Sequence, residues 1–296
     1  MTPKYAETAA QYTKDPQIRK EDVKVLLDWL EKQQHLPKIS EYKVILFLQS
    51  CYYRMEIAKT SIENHYSIRS HCPEFFANRS LSSVGTLMKC GLAYLLPKPS
   101  LQGYSVLFAK LVDPNPDYFN CNDLIKYFDM VVSLVLRQIG VCQGHVLVID
   151  LNGTTFAHIA KINVNSARKY VYFLQEAMPV RVKEIHLLNV SAISQTLINL
   201  VKPFLRHDIV EMLHIHGSID GLYDFMPKQA LAKEYGGSGG SIREIMAEQR
   251  REFEDNASYF LEEEKQIADD SKRLGNTKKI SEIFGSEGSF RRISVD

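Results

Sequence analysis

Gly236-Gly237-Ser238-Gly239-Gly240 satisfies the G-x-S-x-G expression of a hydrolase nucleophile elbow, in which a sharp turn after a buried strand raises a serine hydroxyl above a sheet. The residues before it, Ala232-Lys233-Glu234-Tyr235, do not read as a buried strand, so a glycine turn between two elements is expected and catalysis by Ser238 is the rival. His214 and His216 stand two apart on a strand-like run, which points both imidazoles to one side and offers part of a metal site. No third ligand is evident beside them, and with His158 and His186 they read as structural histidines. Arg181 and Lys183 are likewise two apart where a strand begins, so both charges project to one side as a small cationic patch. Such a patch is solvated surface unless a membrane-facing element lies beside it. A dinucleotide site needs a glycine-rich turn directly after the first strand; Asn152-Gly153 supplies a lone glycine, and no P-loop pattern is present. No catalytic set, cofactor or metal is therefore expected. Phe290-Arg291-Arg292-Ile293-Ser294 fits a basophilic-kinase consensus and makes Ser294 a candidate phosphorylation site.

The composition sets the background for these groups. The chain has 296 residues, 45% hydrophobic and 24% charged, as in a folded globular protein with a substantial core. Its 36 Lys and Arg against 35 Asp and Glu leave a formal charge of +1, so no global positive field draws it onto nucleic acid. The five cysteines, Cys51, Cys72, Cys90, Cys121 and Cys142, form no CxxC pair and read as buried thiols of a reducing compartment. A polar N-terminus and the lack of any run of about 18 apolar residues point to a cytoplasmic protein whose membrane contact is peripheral.

Apolar residues recur at three and four positions from Ile18 to about Arg69: Val25, Leu26, Trp29, Leu30, then Val44, Ile45, Leu48, then Ile57, Ile62, Ile68. Breaks at Leu36-Pro37 and around Tyr53 divide the stretch into about three helices, and Cys72-Pro73 ends the last. A helical unit over 1–95 gives way at Leu96-Pro97-Lys98-Pro99 to a second module over 96–240, followed by a C-terminal helix and mobile tail over 241–296. In the second module Tyr104–Leu111 suits a buried strand, and a helix capped by Asn122 or Asp123 runs through Leu136. Val146-Leu147-Val148-Ile149 is an uninterrupted apolar run, as for a strand covered on both faces. Helix 164–177, a strand through 185–188, one helix from about Gln195 to Val210 and a strand through 212–215 follow. Alternating strands and helices predict an α/β fold with a mostly parallel sheet and right-handed crossovers. The last of these helices carries Leu197, Ile198, Leu200, Val201, Phe204, Leu205 and Ile209 over an arc too wide for one packing face, so it is either sandwiched in the core or a lid over an apolar space.

Five phrases in order carry a family resemblance: Val148-Ile149-Asp150-Leu151-Asn152-Gly153, Pro179 to Asn189, Val201-Lys202-Pro203-Phe204-Leu205, Ile215-His216-Gly217, and Leu231 to Gly237. From about Asp22 to Ser241 the chain resembles the CRAL-TRIO, or Sec14-like, lipid-binding proteins, in the branch with the alpha-tocopherol transfer and retinaldehyde-binding proteins. The resemblance implies a helical N-terminal domain, a gated apolar cavity beside the sheet, and no enzymatic step. It assigns Tyr127, Val131, Phe156, Ile162, Tyr170, Phe173, Leu174, Met178, Ile185 and Leu187 to the cavity wall, with the Tyr127 and Tyr170 hydroxyls available to a polar ligand end. Leu197, Val201, Phe204 and Leu205 fall on the gate, and Arg181 and Lys183 on a phosphoinositide-binding basic pair. Where the family has a second basic pair this chain has Asp208 and Met212, with Lys202, Arg206 and His207 nearby as substitute charge; where an arginine-rich phrase is usual it has Phe47-Leu48-Gln49-Ser50-Cys51. The implied function is to carry one hydrophobic molecule (tocopherol, retinoid, carotenoid, sterol-like molecule or phospholipid) between membranes, or to present it to an enzyme, with transient docking on a phosphoinositide-containing surface. A protein-interaction module of the same fold, its cavity filled by side chains such as Tyr170 and Phe173, is the alternative.

Overall fold

A computed structural model describes residues 5–274, so Ser294 and its consensus lie outside the described residues. The N-terminal stretch forms α1 (Thr8–Lys14), α2 (Lys20–Leu30), α3 (Glu41–Ser50) and α4 (Met55–His71), then the single turns α5 (Pro73–Phe76), α6 (Leu81–Val84) and α7 (Leu87–Cys90). The predicted breaks at Leu36-Pro37, Tyr53 and Cys72-Pro73 all fall between helices. Ser40 caps α3 by accepting from the Lys43 N–H. Between α3 and α4, Tyr52 and Tyr53 both have left-handed backbone, at φ 54° and 60°. For a residue with a Cβ this costs roughly 1 kcal/mol each, so packing around the two rings must hold the turn.

The second half runs β1 (Gly91–Leu95), β2 (Ser105–Leu111), α8 (Cys121–Ile139), β3 (His145–Asp150), α9 (Phe156–Ala160), α10 (Val164–Glu176), β4 (Val182–Leu188), α11 (Ala192–Val201), α12 (His207–Glu211), β5 (Leu213–His216), α13 (Ile242–Asp255) and α14 (Ala257–Glu264). β1 occupies a stretch that the sequence reads as the end of the helical unit; it pairs antiparallel with β2 from Gly91↔Leu111 to Leu95↔Leu107. The cap of α8 is Asn120 rather than Asn122 or Asp123: its side chain accepts from the N–H groups of both. The predicted single helix from 195 to 210 is two helices, because Pro203 has no N–H to continue α11 and the chain makes a 3-10 turn at Lys202–Phe204 before α12 starts.

The strands lie in the order β1-β2-β3-β4-β5, and β2 through β5 are parallel, as the alternation predicts. Strands laid down in sequence with crossovers of one hand place every connecting helix on the same face of the sheet. The opposite face carries Val106, Phe108, Val146, Val148 and Leu188, sealed by Leu222, Met226, Ala230, Leu231 and Ile242 from the chain after β5. On the helix-bearing face Leu107, Leu147 and Ile185, one row across three strands, are only half-buried. An all-apolar strand with one row less covered than the other faces free space on that side.

Beneath this architecture lies a buried ion cluster. Arg79, fully buried, donates to Asp129 Oδ2 at 2.5 Å and to Glu263 Oε2 at 3.0 Å. Arg69 stands 3.6 Å from Asp129, and Lys43 donates to Glu263 Oε1 at 3.1 Å. The cluster joins α3 and α4 to α8 and α14.

Candidate functional site

The free space is a partly open cavity of about 360 Å³ bordered by the sheet, α8, α10, the α3–α4 turn and the residues from Leu205 to Met212. That volume is within the range of small-molecule sites. The sheet supplies Leu107, Leu147 and Ile185; α8 supplies Phe128, Val132, Val135 and Leu136; α10 supplies Val171 and Leu174; Met178 and Val180 follow it. Most of the lining surface is hydrocarbon, interrupted by polar and charged groups such as Arg54, His145, Arg181 and Arg206.

Of the residues assigned by resemblance, Leu174, Met178, Ile185 and the gate residue Leu205 line the cavity. Tyr127 and Val131 do not. They point to the other side of α8, against Phe253 and Phe260, and Phe128 and Val132, one position on, face the cavity instead. One residue along a helix is a rotation of about 100°, enough to exchange one buried face for another. The Tyr127 hydroxyl is committed as well: it accepts from the Ala93 N–H at 2.9 Å and donates to Gln249. On α10 the same displacement occurs. Tyr170 and Phe173 pack into the N-terminal helices, against Phe75 at 6.1 Å and Phe76 at 4.8 Å, while Val171 and Leu174 take the cavity side. Their rings therefore stand outside the cavity lining, and the buried Tyr170 hydroxyl has no hydrogen-bond partner among the described residues. Phe156 is 64% exposed on α9, Ile162 packs against the N-terminal core, and Leu187 and Leu197 meet each other in a separate cluster around Leu151 and Ile198. Val201 and Phe204 are half-buried outside the lining.

At the gate end Arg206 donates to Glu176 Oε1 at 2.8 Å and to both Asp208 oxygens, and the guanidinium holds the Asp208 carboxyl below its usual range. The Gln175 side chain reinforces the closure, donating to the Phe204 carbonyl at 3.1 Å and accepting from the Arg206 N–H at 2.7 Å. Sequence reasoning missed Gln175 and Glu176, whose only signal was their place at the end of a helix beside the predicted gate.

The predicted surface pair separates. Arg181 precedes β4 and is buried: its Nε donates to the Gln49 carbonyl at 2.6 Å and its guanidinium lies over the rings of Tyr52 at 4.3 Å and Tyr53 at 5.2 Å. The strained α3–α4 turn is what brings those rings there. Lys183 is half-buried and donates to the Tyr52 hydroxyl at 3.0 Å, whereas Lys202 is exposed on the 3-10 turn. Nearby, burial lowers His145 to about 4.

The other candidate groups stand away from the cavity. His186 provides the third imidazole that the sequence did not reveal, because register pairs it with His214; the rings of His214 and His216 stack on it at 4.8 and 5.2 Å. The contacts are hydrogen bonds, Nδ1 to His216 Nε2 at 2.9 Å and Nε2 to Glu184 at 3.1 Å, and burial lowers the His186 pKa. No metal-holding group occurs among the described residues. His158 caps α9, its Nδ1 accepting from the Thr155 N–H. Ser238 follows a 3-10 turn at Lys233–Tyr235, not a strand, and its hydroxyl donates to the Gln229 carbonyl at 3.1 Å. No disulfide joins the five cysteines among the described residues, and four of them are buried. No helix among the described residues is long and apolar enough to cross a membrane.

Comparison with known proteins agrees with this architecture. Residues 15–85 match the Pinta-like UBA domain model and residues 89–237 the CRAL/TRIO domain model. Alpha-tocopherol transfer protein-like from Mus musculus is 25% identical, over 77% of this chain and 67% of its own. Clavesin-2 from Mus musculus is 30% identical over 95 residues, 32% of this chain and 29% of its own. Among solved structures, Sfh5 is 12% identical with a TM-score of 0.46, covering 80% of this chain and 99% of its own. With the model match extending over the sheet, α8, α10 and the segment from Leu205 to Met212, this chain belongs to the CRAL/TRIO domain family.

Proposed function

We propose that this protein encloses a single hydrophobic molecule in the cavity and carries it between membranes or presents it to an enzyme, without a covalent step. The observation that carries the reading is a mostly apolar space of about 360 Å³ bordered by a segment held with polar latches. A lipid tail exposing about 500 Å² to water costs roughly 12 kcal/mol at about 25 cal/mol per Å². A cavity that replaces the bilayer interior removes most of that barrier, provided that the wall opens at the membrane and shuts in solution. The family, and relatives named for tocopherol transfer, support lipid cargo.

The wall assigned to the ligand is Leu107, Phe128, Val132, Leu147, Leu174, Met178 and Ile185, and the moving part is the segment from Leu205 through α12 to Met212. Docking is peripheral, on anionic, phosphoinositide-containing membrane, with exposed Lys202 before the gate segment and half-buried Lys183 beside Tyr52 as the contributing cations. Arg206 contributes little there, since two carboxylates already neutralise it. The test is extraction of lipid from the purified protein, read by mass spectrometry, and transfer of a fluorescent lipid between two vesicle populations. A co-purifying lipid at one per chain and accelerated transfer are expected; recovery of no lipid and transfer at the uncatalysed rate would overturn the proposal.

A further inference from the structure

The cavity has an unbalanced charge at its tyrosine end. Three arginines line it, Arg54, Arg181 and Arg206, and both lining carboxylates, Glu176 and Asp208, are spent on Arg206. Arg181 is 7% exposed, and its Nη2 is buried without a hydrogen-bond partner. Among the described residues no carboxylate pairs with it directly; Asp15 reaches it only through the Tyr53 hydroxyl, which donates to Asp15 Oδ2 at 2.6 Å, whereas the other buried arginines, Arg69 and Arg79, both meet Asp129. Arg54 stands at the same end: both guanidinium groups act on the thiol of Cys51, which also lines the cavity. A guanidinium keeps its charge on burial, and a buried charge is costly unless an opposite charge and hydrogen bonds complete it. The rings of Tyr52 and Tyr53 lie against the guanidinium and Nε is taken by the Gln49 carbonyl, so Nη2 is the group left to meet a planar acceptor.

We propose that the cargo is an amphiphile with an anionic oxygen headgroup, a carboxylate on an otherwise apolar chain, and that Arg181 receives that headgroup inside the cavity. The inference rests on the carrier reading and narrows its ligand class. It also separates Arg181 from membrane docking, because a side chain this covered cannot reach a headgroup that stays in a bilayer.

The test uses the full chain and two probes of one skeleton, the fluorescent polyene cis-parinaric acid and its methyl ester, titrated into the wild type, Arg181→Met and Arg181→Lys. A charge-assisted hydrogen-bonded pair is worth at least about tenfold in affinity. The wild type is therefore expected to bind the acid at least about tenfold tighter than the ester. Arg181→Met should lose that preference with ester affinity unchanged, and Arg181→Lys should keep part of it. Equal wild-type affinity for acid and ester overturns the inference even if Arg181→Met fails to fold, and leaves the carrier reading standing. Failure of both probes to bind overturns inference and carrier reading together. A final arm measures binding to vesicles with and without a phosphatidylinositol phosphate. Unchanged vesicle binding by Arg181→Met is expected, while loss of vesicle binding with the acid preference intact would assign the charge to the bilayer and refute the proposal.

Discussion

Glu263→Gln removes one charge from the buried cluster behind the cavity while keeping the shape of the side chain. The carboxylate receives Arg79 Nη2 at 3.0 Å, Lys43 Nζ at 3.1 Å and the Tyr259 hydroxyl at 3.0 Å. The amide retains one acceptor and turns an NH2 toward donors, so Arg79 is left buried with only Asp129 as counter-charge. Breaking a buried pair in this way costs about 3 kcal/mol, and at roughly 2–4 °C per kcal/mol Tm should fall by about 6–12 °C. Burial alone would raise the Glu263 pKa; the charges of Lys43, Arg79 and Arg69 outweigh it and hold the carboxyl well below its usual range. A depressed folded-state pKa gives stability that is present above the unfolded value, about 4.3, and is lost as pH falls through the folded one. The deficit of the variant should thus be full at pH 7 and shrink in strong acid. Glu262→Gln, whose partner Lys265 is exposed, is the control and should shift Tm by no more than about 2 °C. Thermal unfolding at pH 7 and pH 3 decides the matter: a loss below about 1 kcal/mol, or one equal at both pH values, refutes the reasoning.

Leu174→Trp should abolish lipid retention, read by mass spectrometry, while Tm moves only a few degrees because the ring enters vacant space. Glu176→Gln opens an exposed pair worth about 0–1 kcal/mol, so stability should barely change while vesicle-to-vesicle transfer quickens; raised salt should do the same to the wild type. Ser238→Ala removes one hydrogen bond to Gln229, at a cost of about 1 kcal/mol, and should leave any esterase background and the ligand affinity unchanged.

Much of the fold was legible because local chemistry and tertiary packing agree: Pro73 ends α4, Gly144 and Asn152-Gly153 bracket β3, and the apolar arc of α11 does cover the sheet edge. β1 was not, since Gly91-Leu92-Ala93-Tyr94-Leu95 is a short apolar run equally suited to a helix end, and only its pairing with β2 decides. The cavity itself has no local signature. Leu147 and Val148 are adjacent and equally apolar, yet one faces the space and the other the sealed core. The displacement from Tyr127 to Phe128 and from Tyr170 to Val171 has the same origin, since on helices buried on two sides the sequence pattern does not say which face meets protein and which meets the vacancy. Arg181 was read as surface because it stands two residues from Lys183 where a strand begins; the carbonyl and rings that enclose it come from residues more than a hundred positions earlier.

β5 has four residues and a single neighbour, β4, which itself is held on both flanks. The segment from Leu205 to Met212 runs straight into β5, so the proposed opening would load the β4–β5 seam, where four paired positions hold the edge strand while the chain after β5 is packed under the far side of the sheet.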